Sequence, residues 1–391
     1  MLRADSKMFG VHDTQVLIVG AGPVGLTLAL DLAQRGVRAT LVERNPTSIQ
    51  LPKMERCNAR TMEIFRRLGI AETVRDAGLP RAAPMDVFLA DSMAAREPIV
   101  HLPYPSVADA KAEIAANNDG RPLEPYQLIS QYTLEPLLRS IADARPELTI
   151  RFGCEMTSFV EDATGITATL ETDAGSDTIR AAYIVGCDGG TSTVRKQLEI
   201  DLTGQGRIRQ LRQALFHAPE LYDRIPMGKG RHYHIATGPI FPFIIIQDST
   251  QHWTLHAAAA NDREMTEIFR GALGMDVPFE TLSVNGWTQH LLCAYRYRKG
   301  RAFIAGDAAH LVIPTGGLGM NTGVGDAADL SWKLAATLAG WGGPALLDSY
   351  EPERRQIGLR NVRASGAAMN GRLTWRAATS RAEMGAAFDA E

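Results

Sequence analysis

Residues 15–43 read QVLIVGAGPVGLTLALDLAQRGVRATLVE, and the fold turns on this stretch. QVLIV is a short apolar run without alternation, as expected of a strand covered on both faces in a parallel sheet. GAGPVG follows at once. LTLALDLAQRG then continues at helical spacing, and Gly36 stands where a helix C-cap belongs. RATLVE, residues 38–43, reads as the next strand. Strand, glycine turn, helix and strand follow one another within about thirty residues, the length of a parallel βαβ unit.

The glycines carry the chemistry. Gly20 permits the tight turn, Gly22 lets the backbone approach a pyrophosphate, and Gly25 lets helix and strand pack closely. The helix N-terminus adds oriented N–H groups and positive potential. Gly20, Gly22, Pro23, Val24 and Gly25 are therefore candidate cofactor-binding residues. Glu43, eighteen residues past Gly25, is placed to accept hydrogen bonds from a ribose hydroxyl. The pattern predicts a bound dinucleotide but does not by itself separate FAD from NAD.

Bulk properties narrow the rest. At 391 residues the chain has room for two or three domains, taking roughly 150 residues each. A net charge of −3 gives no basic surface to attract nucleic acid or acidic lipid. Cys57, Cys154, Cys187 and Cys293 lie far apart, without CxxC or Cys/His ligand spacing. No metal site or disulfide framework is expected, and a reducing, cytoplasmic setting fits. MLRADSKMFGVHDT lacks the apolar core of a signal peptide, and no run approaches a membrane span.

Further along, SQYTLEPLLRSIADA reads as a helix with Ser130 as its N-cap. LTIRFG, CEMTSFVED, GITATLET and TIRAAYIVGCDG read as strands. From about residue 204 to 298, RHYHIATG, FPFIIIQD and HWTLHAAAA suggest an antiparallel sheet, interrupted by the helix DREMTEIFRGAL. RAFIAGD, residues 301–307, returns to the strand-then-turn texture of the beginning, and two helices follow.

Two more motifs stand out. VGCDGGTSTVR, residues 185–195, places Asp188 at a strand end just before a helix. GDAAHLVIPTGGLGMN, residues 306–321, places Asp307 at another strand end and then runs through a glycine loop into a helix. An acid at the C-terminal end of a strand in such a sheet sits where ligands bind. The loop's N–H groups would stabilise negative charge developing on a reacting cofactor ring.

Together, GAGPVG…ER, CDGGTSTVR and GDAAHLVIPTGGLGMNTGVGDAADLSWKLA resemble the single-component FAD-dependent aromatic hydroxylases, the p-hydroxybenzoate and phenol hydroxylase family. The resemblance covers roughly residues 14–370. It implies a mixed α/β fold, a Rossmann-like FAD-binding domain with an inserted antiparallel β-sheet substrate domain. The expected division is 1–203 for the first part of the FAD domain, 204–298 for the substrate domain, and 299–391 for the return and C-terminal helices.

The resemblance also implies roles. Glu43 resembles the acid on the ribose of FAD's adenosine half, with Arg44 beside it. Arg56 and Gln131 resemble residues that contact FAD, Asp188 one that serves FAD and NAD(P)H, and Asp307 the acid on the ribityl–phosphate segment. Pro314 stands where a backbone carbonyl nears the substrate ring, and Gly319, Met320 and Asn321 where backbone amides face the isoalloxazine. The implied reaction has NADPH or NADH reduce FAD, O2 form a flavin C4a-hydroperoxide, and oxygen pass to a deprotonated phenol. The implied partner is an aromatic small molecule. A homodimer is allowed but not required.

The acid–base residue is less clearly written. His232 and His234 share one face of the RHYHI strand and Arg231 and Tyr233 the other. His234 is the candidate base, Arg231 a candidate anchor for a substrate carboxylate, and Pro314 the third catalytic candidate. His310 reads as structural or close to the flavin. Two other classes remain open: a reductase or dehydrogenase of the same fold, and a non-catalytic flavin carrier. Many relatives carry a thioredoxin-like domain after the last helices. The tail TSRAEMGAAFDAE offers no fold of its own, so the protein is a short member or continues beyond these residues.

Overall fold

QVLIV lies in the strand Thr14–Val19, whose Val16, Leu17 and Ile18 are fully shielded from solvent. Both neighbours are parallel. Leu17 stands opposite Thr40 of Ala39–Glu43 on one side and opposite Ile184 of Gly175–Gly186 on the other. Leu148–Phe152 extends the sheet past the first neighbour and Ala302–Ile304 past the second, both parallel. Parallel strands of this kind are covered on both faces, so the run is apolar without alternation. Burying each such Val, Leu or Ile side chain stabilises the fold by roughly 1.5–3 kcal/mol.

The computed structural model describes residues 12–53, 56–117, 120–236, 242–379 and 383. They fall into two compact units. The first takes the chain up to Gln50, then Leu134–Gly206 and Leu291–Gly366. It holds the parallel sheet, with a meander of Glu155–Glu161 and Ile166–Thr172 added antiparallel to Gly175–Gly186. Helices Pro23–Gln34 and Gly319–Leu338 pack together, and the buried Ser331 hydroxyl donates to buried Asp31 at 2.5 Å.

The second unit takes Leu51–Thr133, Arg207–His290 and the chain from Ala367. This differs from a division at 203/204 and 298/299, which kept 51–133 with the N-terminal segment. The reason is strand pairing. Val87–Ala90 lies parallel to His232–Ile235, with Phe88 opposite Tyr233, and Val100–Leu102 adds beyond it. Three further pairings, of His232–Ile235 with Phe243–Ile246, of Phe243–Ile246 with His252–Ala257 and of His252–Ala257 with Leu202–His217, are antiparallel. The order of this sheet runs Glu280–Ala294, Leu202–His217, His252–Ala257, Phe243–Ile246, His232–Ile235, Val87–Ala90, Val100–Leu102.

One face of this second sheet is apolar. Phe88, Phe216, Tyr233, Ile244, Ile246, Trp253 and Leu255 form a core with Met265, Phe269 and Leu273 of helix Asp262–Leu273. Asn261 caps that helix through the Glu264 N–H at 3.0 Å, and Gly274, at φ +64°, ends it. Alternation then sends His232, His234, Phe243 and His256 to the opposite face.

Candidate functional site

The first glycine turn is built by close approach. Gly20 has φ +105°, and a Cβ on it would collide with the Cys187 carbonyl. A Cβ on Gly25 would collide with the Gly20 carbonyl, so the helix can start against the strand only with glycine there. Gly22, by contrast, is open: a Cβ would meet nothing nearer than Glu135 Oε1 at 3.9 Å. Pro23 occupies the first helical position, and no side chain caps the helix. Glu43 closes the turn, accepting the Ala21 and Asn45 N–H groups at 2.9 Å on its two carboxylate oxygens. Arg44 beside it is exposed.

The other two motifs meet this turn within the same unit. A Cβ at Gly20 would lie 3.0 Å from the Asp188 Cα, and one at Gly306 would lie 3.0 Å from Val24 Cγ2. Arg195 ties them, its guanidinium donating to the carbonyls of Gly190 at 3.0 Å and Ala308 at 3.2 Å. Asp188 Oδ2 accepts the N–H groups of Thr193 and Val194 at 2.7 and 3.2 Å, while Oδ1 is buried without a partner. Burial raises the Asp188 pKa, and hydrogen bonds from Ser192 and nearby backbone only partly offset this. Asp307 is exposed on the short 3-10 turn Gly306–Ala308.

The second glycine loop is braced from behind. The Gly317 N–H donates to the Pro314 carbonyl at 2.8 Å, and Gly316 and Gly317 take φ +89° and +62°. The helix then starts at Gly319 with no side-chain cap. Asn321 Nδ2 donates back to the Gly317 carbonyl at 2.7 Å. Pro314 is exposed and Met320 half-buried. Asp326, about two turns into this helix and fully buried, is the hub of the support. Its Oδ2 lies 2.7 Å from His310 Nε2 and accepts the Gly306 N–H at 3.1 Å, and its Oδ1 accepts Arg354 Nε at 2.8 Å. Burial alone would raise its carboxyl pKa, but His310 and Arg354 outweigh that and hold it below the usual range. Arg354 also donates to the Thr322 carbonyl at 3.1 Å, Asn361 to the Thr322 hydroxyl at 2.7 Å, and Ser365 to the Thr315 carbonyl at 3.2 Å.

These residues fit FAD. Two helix amide ends lack side-chain caps, the backbone at Gly22 is open, and Asp188 keeps a buried acceptor with no donor. A pyrophosphate would suit the first amide end, and a sugar or ribityl hydroxyl would satisfy an orphaned carboxylate oxygen. The second amide end would supply donors for negative charge on a flavin ring.

Arg56, Gln131, Arg231 and His234 belong to the second unit. Arg56 is on the two-residue strand Arg56–Cys57, opposite Leu128. Gln131 opens helix Gln131–Asp143, which leaves Ser130 just before the first turn, as expected, and the Ser130 hydroxyl donates to Gln247. Arg231 is buried, its Nε donating to the Met85 carbonyl at 3.0 Å, with the guanidinium beside the rings of Tyr104 and Tyr126. His234 is half-buried, its ring 5.7 Å from that of Phe243. Burial, with Arg231 and other neighbouring cations, pushes the His232 pKa well below its ordinary value.

Two groups come together only in the folded chain. The Asp326–Arg354 pair was hidden because its members lie on different helices. The sheet face beside His234 was hidden because its residues come from separate strands. On that face the rings of Phe243 and His256 stack at 4.7 Å, Trp287 stands edge-on to His256 at 6.4 Å, and His232 Nε2, His256 Nδ1, Trp287 Nε1 and Gln289 Oε1 are buried without partners. Each such group costs about 1–3 kcal/mol unless something pairs with it. Among the described residues no cluster could hold a metal ion, and no helix is long and apolar enough to cross a membrane.

Comparison with known proteins places this arrangement. Residues 13–365 match the family model of the FAD binding domain. The chain is 36% identical to the FAD-dependent monooxygenase apdD of Emericella nidulans, over 88% of this chain and 58% of the relative. It is 34% identical to a putative polyketide hydroxylase of Streptomyces halstedii, over 91% of this chain and 65% of the relative. The chain thus spans about three fifths of the length of these curated relatives. Among solved structures it resembles aklavinone-11 hydroxylase in a ternary complex with FAD and aklavinone. The TM-score is 0.81 at 32% identity, covering 91% of this chain and 68% of that one.

Proposed function

The chain belongs to the FAD-dependent aromatic hydroxylase family, and from that premise we propose that it is an NAD(P)H- and O2-dependent monooxygenase acting on a flat, phenolic, polycyclic aromatic compound. The observation that carries this reading is the convergence of three motifs in one unit. GAGPVG, Asp188 and the braced loop at 314–321 together suit one extended dinucleotide whose reacting ring needs backbone amides. A carrier has no use for amides held against a reactive ring.

Bound FAD supplies the redox chemistry that no side chain can, accepting hydride and activating O2. The protein's own groups do the rest. Gly20, Gly22, Pro23, Val24 and Gly25 hold the pyrophosphate, Glu43 with Arg44 the adenosine ribose, and Asp307 the ribityl segment. Arg56 and Gln131 add contacts to FAD, and Asp188 serves both nucleotides. Gly319, Met320 and Asn321 orient the ring by their amides, and the Pro314 carbonyl faces the substrate. His234 takes the phenolic proton, which makes the ring carbon nucleophilic, and Arg231 is the anchor for a substrate carboxylate. The substrate class rests on relatives described as a polyketide hydroxylase and as a hydroxylase bound to aklavinone. All four cysteines are unpaired, which supports a reducing cytoplasm.

The test is a screen of phenols, benzoates and hydroxylated polycycles for stimulated NAD(P)H oxidation by the FAD-loaded protein, with product masses. A gain of one oxygen in a polycyclic phenol is expected. Stimulated oxidation without O2 uptake would sink the monooxygenase in favour of a reductase. FAD binding without any stimulation would leave a carrier.

A further inference from the structure

On the sheet of the second unit, we propose that His256 is a specificity-determining hydrogen-bond donor, giving its Nδ1–H to a carbonyl or hydroxyl oxygen of the fused-ring substrate, with Trp287 and Gln289 completing the recognition surface. The assignment rests on the hydroxylase reading for the presence of an aromatic substrate, and on four local observations for the residues.

The first is the tautomer. The Gln213 amide nitrogen lies 3.3 Å from His256 Nε2 and also donates to the Pro52 carbonyl. An amide nitrogen next to a carbonyl oxygen must be the donor, so His256 Nε2 accepts. The imidazole proton is therefore on Nδ1. The second is that Nδ1 is buried and has no partner, on a residue only 8% exposed. A buried donor left unpaired is a group waiting for an acceptor. The third is charge. Burial lowers the His256 pKa to about 4, so the ring is a neutral donor at physiological pH. It suits a carbonyl or hydroxyl oxygen.

The fourth is the company it keeps. Phe243 covers one face of the imidazole, its ring parallel within 3° at 4.7 Å. Trp287 stands edge-on, with its Nε1–H also unpaired. Gln289, two residues along the same strand, adds an unpaired acceptor, Oε1. His256's strand is central, with the strand of His232 two places away on one side and that of Trp287 two places away on the other. At about 4.8 Å per place, each separation is roughly 10 Å. A flat fused-ring system with oxygens along its edge could reach several of these groups, whereas one small phenol could reach few.

The experiment titrates the FAD-loaded protein with 1-hydroxyanthraquinone and with anthracene, which lacks the oxygens, reading Kd from protein fluorescence. His256→Phe keeps a stacking ring and deletes the donor. It is expected to weaken hydroxyanthraquinone about tenfold, the size of one hydrogen bond, and anthracene less than about twofold. His256→Asn returns an N–H near the Nδ1 position and is expected to recover most of the loss. Trp287→Phe, a milder change, is expected to show the same split between probes. Equal weakening of both probes, no weakening of either, or no binding of hydroxyanthraquinone by the wild type overturns the assignment. The two readings separate cleanly. A wild type that hydroxylates while His256→Phe keeps full affinity overturns His256 alone. The split on His256→Phe together with a wild type that never transfers oxygen overturns the reaction and leaves His256 standing.

Discussion

The two glycine turns of the first unit and the sheet face of the second unit solve different recognition problems with different materials. The turns work through backbone. Gly20 and Gly25 are there because a Cβ would strike a carbonyl, and the ligand would meet N–H groups that every residue carries. The sheet face works through side chains. His256, Phe243 and Trp287 come from three strands, and the rings of Phe243 and Trp287 meet His256 only once the sheet has formed. Backbone recognition suits a cofactor of constant shape, and side-chain recognition can be altered one residue at a time.

The contrast extends to how each region responds to mutation and acid. The largest effect is expected at Asp326. Asp326→Ala leaves buried His310 and the Arg354 guanidinium without their carboxylate. The expected cost is about 3–5 kcal/mol, read by denaturant unfolding, with loss of FAD because the Gly306 turn and second loop lose their brace. A cost under about 1 kcal/mol would show that the backbone turns stand without side-chain support.

Next comes acid sensitivity in the second unit. The His256 pKa falls from 6.5 to about 4 on folding, so the unfolded chain binds the proton better. Stability from this group is complete above pH 6.5 and declines as pH drops towards 4, by on the order of 3 kcal/mol. His256→Phe should flatten that decline when unfolding is measured at pH 7, 5.5 and 4.5. His232, also shifted down, contributes equally to both proteins and cancels in the difference. The first unit differs: Asp326 has a lowered pKa, so its contribution persists above about pH 3.8 and is lost only below it. If the variant and wild type show the same profile from pH 7 to 4.5, His256 is not the buried neutral group described.

The smallest effect on stability is expected at Asp307, which is exposed. Asp307→Ala should change unfolding by less than about 0.5 kcal/mol yet lose FAD, as read by flavin absorbance after gel filtration. Asp188→Ala should keep FAD and mainly slow reduction by NAD(P)H in stopped flow. Both variants keeping FAD and normal reduction rates would dissolve the distinction between the two acids.

How much could be read beforehand follows from the same contrast. The parallel strands and the first turn were legible because their residues are contiguous. The strand run, the three glycines and Glu43 all lie within residues 15–43. The sheet insert was legible in texture, but not the recruitment of 51–133. Nothing in DVFLA announces that its Phe88 pairs beside Tyr233, nearly one hundred and fifty residues later. Ser130 stands just before its helix, as its type suggests, but its partner Gln247 lies more than one hundred residues away and is not announced by any local pattern. GVGDAADL showed an acid on an apolar helix without showing that Arg354 and His310 would enclose it.

By itself, then, the amino-acid sequence determined the local geometry of this protein: where the chain must turn without a Cβ, which strands are covered on both faces, and which helix ends offer amides. Those properties depend on neighbours in sequence, through sterics and hydrogen bonds only a few residues long. Tertiary structure alone decided which distant polar groups are paired and which are left waiting. Pairing sets the burial and partners of Asp326 and His256, and a side chain's charge state and capacity to bind follow from those surroundings.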